Sequence, residues 1–196
     1  VLMVLLFSAC SGKSKTSFLQ EEGDTLRLRY AENLQIVKYD RYTKVTLRNP
    51  WDTLKILRTY LLVDKADTSA ISLPEGTVIH VPLTRALVYS SVHCALLQEL
   101  GALDHVKGVC DVQYIRIPAI QEGCQKGEIT NAGSSMSPDI EKVIDMHPDG
   151  ILLSPYENSG GYGRIEKLNV PILECADYME TSALGRAEWV RFYGLL

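Results

Sequence analysis

Neither a GxSxG nucleophile elbow, nor an HExxH pair, nor a P-loop occurs in this sequence, so the commonest hydrolytic, zinc-protease and nucleotide-cleaving chemistries lack a motif. Positive charge is not in excess. The net charge is -4, with Lys and Arg scattered along the chain, so no field attracts phosphate backbones and no nucleic-acid partner is expected. Past the first ten residues no run is long and apolar enough to cross a bilayer. No CxxC pair is present, which removes the usual zinc spacing; Cys94, Cys110, Cys124 and Cys175 admit three pairings, and buried free thiols are the expected state. Asp145, His147 and Asp149 lie close together, but Pro148-Asp149-Gly150 reads as a turn from a helix into a strand, not as a metal cluster. No metal and no cofactor are expected. Internal repeats and low-complexity segments are absent as well.

What is present has the balance of a globular protein, with 46% hydrophobic and 22% charged residues. The chain opens on a short apolar run, 1–7, then Ser8, Ala9 and Cys10. Such a run is too short for a membrane span and fits the end of a signal peptide. A Cys directly after small residues looks like a bacterial lipobox, although Phe7 stands where Leu is usual. Without an initiating Met or a basic segment before it, the run reads as the end of a longer leader. Cys10 is therefore expected to be acylated. The small polar stretch Ser11 to Ser17 that follows suits a flexible tether. The competing reading is a buried strand ending in an ordinary Cys.

Two textures follow. In 25–80 apolar and polar residues alternate over 26–30, 34–39, 45–47 and 57–63, with turn-like residues between, which predicts an antiparallel meander with one wet face. From 77 onward strands at 77–81, 86–89, 106–109, 150–153 and 170–173 alternate with helical spacing at 92–100, stopped by Gly101, and at 138–146, with Ser137 as N-cap and Pro138 in the first turn. A further helix ends at 165–168. The fold class expected is α/β, a mostly parallel sheet flanked by helices, preceded by a β-rich N-terminal segment.

Residues 85–88, Ser90-Ser91, 96–102 and 106–109, then Asn131-Ala132-Gly133, the run 137–144, the run 147–153 and Leu168-Asn169-Val170-Pro171-Ile172 together resemble the class III periplasmic binding proteins of ABC importers. The resemblance covers roughly 85–196. It implies two α/β lobes joined by a long helix, with a ligand between them. On that basis the chain divides into a leader remnant with acylated Cys (1–10), a tether (11–24), the β-rich segment (25–80), an N-terminal lobe (81–187) and the start of an interlobe helix (188–196), where the chain stops before a second lobe.

Ligands of open α/β sheets sit beyond the carboxyl ends of the strands. Four loops take that position: 90–93, 111–116, 133–136 and 156–162. They nominate Ser90, Ser91, His93, Tyr114, Arg116, Ser134, Ser135 and Tyr156 as ligand-binding residues. Tyr114, Tyr156 and Tyr162 offer flat faces for a macrocycle or catecholate, and Arg116 a charge for an acidic chelate. Each also reads as a solvated loop residue. Gly160-Gly161-Tyr162-Gly163 is glycine-rich but does not follow a strand directly, which favours a mobile loop over a phosphate cradle. His93 and Cys94 are adjacent on a helix and point apart, so they make a poor catalytic pair.

The resemblance implies capture of an iron-siderophore or haem, with cobalamin as the alternative, and delivery to an ABC transporter permease. The protein would be no enzyme and would sit in the cell envelope, on the periplasmic side, held to the membrane through its lipid anchor. The resemblance also gives Glu141, three residues after Pro138, the role of docking to permease arginines, with Ile140, Val143 and Ile144 as the buried stripe. A first-turn Glu that stabilises its own helix, through Ser137 or the macrodipole, is the local alternative. A lipoprotein hydrolase and a cell-envelope scaffold built on the β-rich segment are the readings from other classes.

Overall fold

The structure is a computed structural model that describes residues 22–157 and 161–196. The expected lipidation site Cys10 lies outside the described residues.

The first sheet comprises β1 (Asp24–Thr25), β2 (Leu34–Lys38), β3 (Thr43–Arg48), β4 (Ile56–Asp64) and β5 (Thr77–Val81), in that order. The first four pair antiparallel, as the alternation predicts, and β5 joins β4 in parallel. The strand expected at 26–30 does not form. Leu26 still donates to Ile36, but the amides of Arg29, Tyr30 and Ala31 donate to the Glu188 carboxylate at 2.9, 2.6 and 2.7 Å. A carboxylate takes the place of a ladder partner.

The chain then winds through β6 (Ala86–Val88), α1 (Ser91–Glu99), β7 (Val106–Val109), α2 (Pro118–Lys126) and β8 (Thr130–Asn131). A short hairpin follows, β9 (Gly133–Ser134) and β10 (Ser137–Pro138), then α3 (Ile140–Met146), β11 (Gly150–Leu153), β12 (Ile172–Glu174), α4 (Ala183–Glu188) and α5 (Val190–Tyr193). Five of these strands form a wholly parallel sheet, in spatial order β12-β11-β6-β7-β8. The α/β class with a parallel sheet flanked by helices is therefore as the sequence indicates. The segment expected to be a helix ending at 165–168 is the 3-10 turn Gly163–Leu168. Helix α2 was not anticipated, although Pro118 at its start and Gly127 at φ 75° after its end are ordinary punctuation.

Helix α3 starts two residues later than expected. Asp139, not Ser137, is the N-cap, accepting from the Lys142 amide, because Ser137 and Pro138 are spent on the hairpin pairing with Ser134 and Gly133. The buried stripe also shifts: Val143 and Met146 face inward, while Ile144 is half exposed.

Side chains on the parallel sheet alternate between two cores. Ala86, Val88, Leu152 and Leu173 face one, Leu87, Ile151 and Leu153 the other. The first core also takes Leu34, Ile36, Val45, Leu47, Tyr60 and Ile79 from the first sheet, so the two sheets share one interior. Between them lie Trp189, Phe192 and Tyr193, all buried, with Phe192 stacked on Tyr60 at 6.1 Å. Residues 188–196 hold the short helix α5, whose Phe192 and Tyr193 are buried in the core with Trp189 before it. The four cysteines of the described residues are free thiols. Burial, the main cause, pushes Cys94 and Cys110 up to about 12.

Candidate functional site

Sequence order β6, β7, β8 runs outward on one side of β6, and β11, β12 on the other. The chain reverses direction across the sheet between β6 and β11, which is the topological switch point where open α/β sheets leave a crevice. A cavity of about 390 Å³ lies there. Its floor is Tyr89 and Ser90 after β6, Leu153 at the end of β11 and Ser154 beyond it; its walls include Ser135, Met136, Tyr156 and Tyr162. The described lining carries no charged side chain.

Each wall is fixed by local chemistry. Ser90 is the N-cap of α1 and accepts from the Val92 amide at 3.2 Å. Asp111, at φ 49°, receives the Ser135 amide on its carboxylate at 3.3 Å and donates its own amide to the Gly133 carbonyl at 2.7 Å, stitching the loops after β7 and β8 together. Gly161 and Gly163, at φ 102° and 64°, make the turn that presents Tyr162, and a side chain at 161 would come within 2.9 Å of the Glu166 carboxylate. That carboxylate accepts the Tyr162 amide at 2.7 Å. Residues 161–163 of the glycine-rich run are thus a turn into the 3-10 segment at the cavity wall. Tyr178 donates its hydroxyl to the Pro155 carbonyl, tying the loop after β12 to the loop after β11.

Tyr89 lines the cavity with part of its ring and packs against the second core. Its hydroxyl is buried without a hydrogen-bond partner, and buried polar groups are seldom left so. Burial, with the Cys110 thiol nearby, pushes its pKa up, so the phenol stays protonated and offers a donor.

Of the residues nominated from sequence, Ser90, Ser135 and Tyr156 meet at this cavity, with Tyr162 beside them. Ser91, Tyr114, Arg116 and Ser134 do not line it. Tyr114 is 70% exposed, Arg116 is exposed, and the Ser134 hydroxyl accepts the Met136 amide within its own turn. His93 is a correction. It is 2% exposed and points into the core, where its Nε2 lies 3.2 Å from Asp177 and its ring packs near Tyr193. One turn past the N-cap, a helix residue in line with Leu97 turns away from the strand ends. Asp177 also receives the Tyr193 hydroxyl at 2.9 Å and Arg186 at 3.2 Å. Burial opposes its ionised form, but these donors outweigh it and its pKa is lowered. Cys175 beside it is fully buried with a raised pKa, so the cluster offers no accessible nucleophile.

The sequence reading missed Tyr89 as a wall, and missed Glu174, which is 3% exposed at the end of β12. Its carboxylate accepts the Tyr162 hydroxyl at 2.8 Å and Arg58 at 3.1 Å. A Glu closing an apolar strand was the available signal. Glu141 is exposed in the first turn of α3, with Asp139 as the cap. Asp149 is a clasp in the turn before β11, accepting from Thr84, Arg85 and Lys65.

No protein-family model matches the chain. Two uncharacterised lipoproteins of Methanocaldococcus jannaschii are similar to it. One is 28% identical, covering 89% of this chain and 47% of the relative; the other is 22% identical, covering 97% and 52%. The chain spans about half the length of these curated relatives. Among solved structures, the petrobactin-binding protein YclQ of Bacillus subtilis superposes with a TM-score of 0.47 at 16% identity, over 78% of this chain and 46% of that one. The periplasmic haem-binding protein HutB of Vibrio cholerae gives 0.38 at 10% identity, over 57% and 45%. No residue-to-residue correspondence follows from scores of that size, and the chemistry of the cavity is that of its own side chains.

Proposed function

We propose that this chain forms one wall of the binding cleft of a substrate-binding lipoprotein, which captures a small metal chelate and hands it to an ABC importer in the cell envelope. The observation that carries this reading is the cavity at the switch point, lined by Tyr89, Tyr156 and Tyr162. An uncharged pocket with aromatic faces and hydroxyls favours a flat or catechol-rich ligand held by stacking and a few hydrogen bonds. Reversible capture needs no nucleophile or general base. An iron-siderophore or haem is the first expectation and cobalamin the second. Lipoproteins among the relatives support an anchor, which the sequence places on Cys10.

The test is made on the full-length natural protein. Its visible absorption after purification distinguishes haem, ferric catecholate and cobalamin, and titration with haemin, ferric tricatecholate and cyanocobalamin gives the affinity. Tyr156→Ala with Tyr162→Ala should weaken the bound chelate at least tenfold and leave the fold intact. Binding of none of the three, or unchanged affinity in the double variant, would overturn the reading.

A further inference from the structure

The β-rich segment joins the pocket through one chain of contacts. Arg58 and Tyr60 stand two apart on β4 and so project to the same side. Tyr60 is fully buried, and its hydroxyl accepts the Glu174 amide at 2.7 Å, capping the outer edge of β12. Arg58 reaches the side chain of the same residue. Its Nη2 donates to Oε1 at 3.1 Å, and its Nε lies 3.0 Å from Oε2 as an ion-pair contact. The Glu174 side chain is 4% exposed and the Arg58 side chain 50% exposed, so a cation at the surface balances a carboxylate within. The same Oε1 accepts the hydroxyl of Tyr162, a cavity wall, at 2.8 Å. The Tyr162 amide on Glu166 fixes main chain, the ring packs against the second core, and Glu174 holds its hydroxyl.

We infer that Arg58 is a positioning residue for the ligand pocket, acting through Glu174 on the ring of Tyr162, so that the first sheet sets the shape of a site built on the second. This rests on the proposed binding role of the cavity. Without Arg58 the buried carboxylate has lost its counter-charge and the contacts at both oxygens, and the acceptor that holds the Tyr162 hydroxyl is no longer fixed in place. Arg58 touches no ligand, so its effect appears in Tyr162 before it appears in affinity.

The experiment places 3-fluorotyrosine at position 162 of the full-length protein and follows its fluorine resonance. A second probe at Tyr114, exposed and off the cavity, serves as control. Arg58→Met should displace or split the 162 line, leave the 114 line in place, and weaken a bound chelate at least fivefold. Arg58→Lys should return both readouts most of the way. Glu174→Gln removes the anion without leaving a buried charge unpaired, and should move the 162 line even if Arg58→Met fails to fold. Haemin, ferric tricatecholate and cyanocobalamin are the binding probes. An unmoved 162 line in a protein that binds one of them overturns the relay alone. A moved line in a protein that binds none overturns the pocket reading and leaves the relay standing.

Discussion

Asp149 shows how one carboxylate can hold several pieces of chain. It accepts the Thr84 and Arg85 amides at 2.7 and 2.9 Å and the Lys65 ammonium at 2.7 Å, joining the end of α3 to the entry of β6 and to the first sheet. Burial raises its pKa, but these donors outweigh burial and the net shift is downward. A carboxylate lowered in the folded state adds stability above about pH 4, its unfolded pKa, and that part is lost as pH falls through the folded value. Asp177 is lowered as well, and Asp67, held by Ser69 and Arg41, lies at about 2. Stability should therefore drop between about pH 4 and pH 2. Asp149→Asn should cost about 1–3 kcal/mol at pH 7, since the clasp is partly screened by solvent. The loss should shrink as pH approaches 3. Urea midpoints at both pH values check this, and a cost independent of pH would exclude the clasp. At this scale the sequence was an uneven guide. Ser90, Ser135 and Tyr156 follow from the rule that loops after parallel strands surround the ligand. His93 satisfies the same rule by position and fails it by helical phase, because its face is that of Leu97. Glu174 was signalled only by a Glu closing an apolar strand, and its partner Arg58 is distant in sequence; Tyr89 carries no motif, since burial alone sets it apart.

At the scale of elements, periodicity found β6, β7, β11, β12 and α3 because their apolar runs are bounded by turn residues, and missed β8, which is two polar residues long. It failed where a long-range donor or acceptor replaced the local partner. The segment 26–30 alternates as a strand should, but Glu188 takes its amides, and Glu180 takes those of Glu32 and Asn33 at 2.9 and 3.0 Å. Gly185 makes this docking possible. A Cβ there would sit 2.7 Å from the Tyr30 carbonyl oxygen, a backbone atom with little room to yield. Gly185→Ala should push the 29–33 segment off α4 and cost about 1–3 kcal/mol, as overpacking does. Amide exchange should quicken at 29–33 and stay slow in β6 and β11. Unchanged exchange across 29–33 would show that the helix shifts instead.

For the whole molecule, the shared interior matters most. Trp189, Phe192 and Tyr60 lie where the two sheets meet, so neither sheet has a complete core alone. The sequence reading divides the β-rich segment 25–80 from the lobe 81–187; in the structure both contribute to one interior. Trp189→Ala should cost about 3–5 kcal/mol. Far-ultraviolet dichroism and the fluorescence of Trp51 should report one common midpoint in the parent protein. Two separated midpoints would mean that the sheets fold independently. Glu141 belongs to this scale too, through the proposed permease. Exposed on a short helix whose cap is Asp139, it contributes about 1 kcal/mol or less to the fold. Glu141→Arg in the full-length protein should keep stability and ligand affinity and abolish stimulation of the transporter ATPase in vesicles. Normal uptake by that variant would leave Glu141 with a local role.

Glu188 meets residues 29–31 through their main-chain N–H groups, and Glu180, which also accepts the Trp189 indole N–H at 2.8 Å, takes the amides of 32 and 33. The grip is therefore blind to which side chains those positions carry. Mutational information is concentrated at one end of the contact: a saturation library should accept nearly every residue except proline at 29 and 30, and few at 180 and 188. Proline is the exception because it alone has no N–H to give. Broad tolerance at the two glutamates would mean that the segment is held by its apolar neighbours.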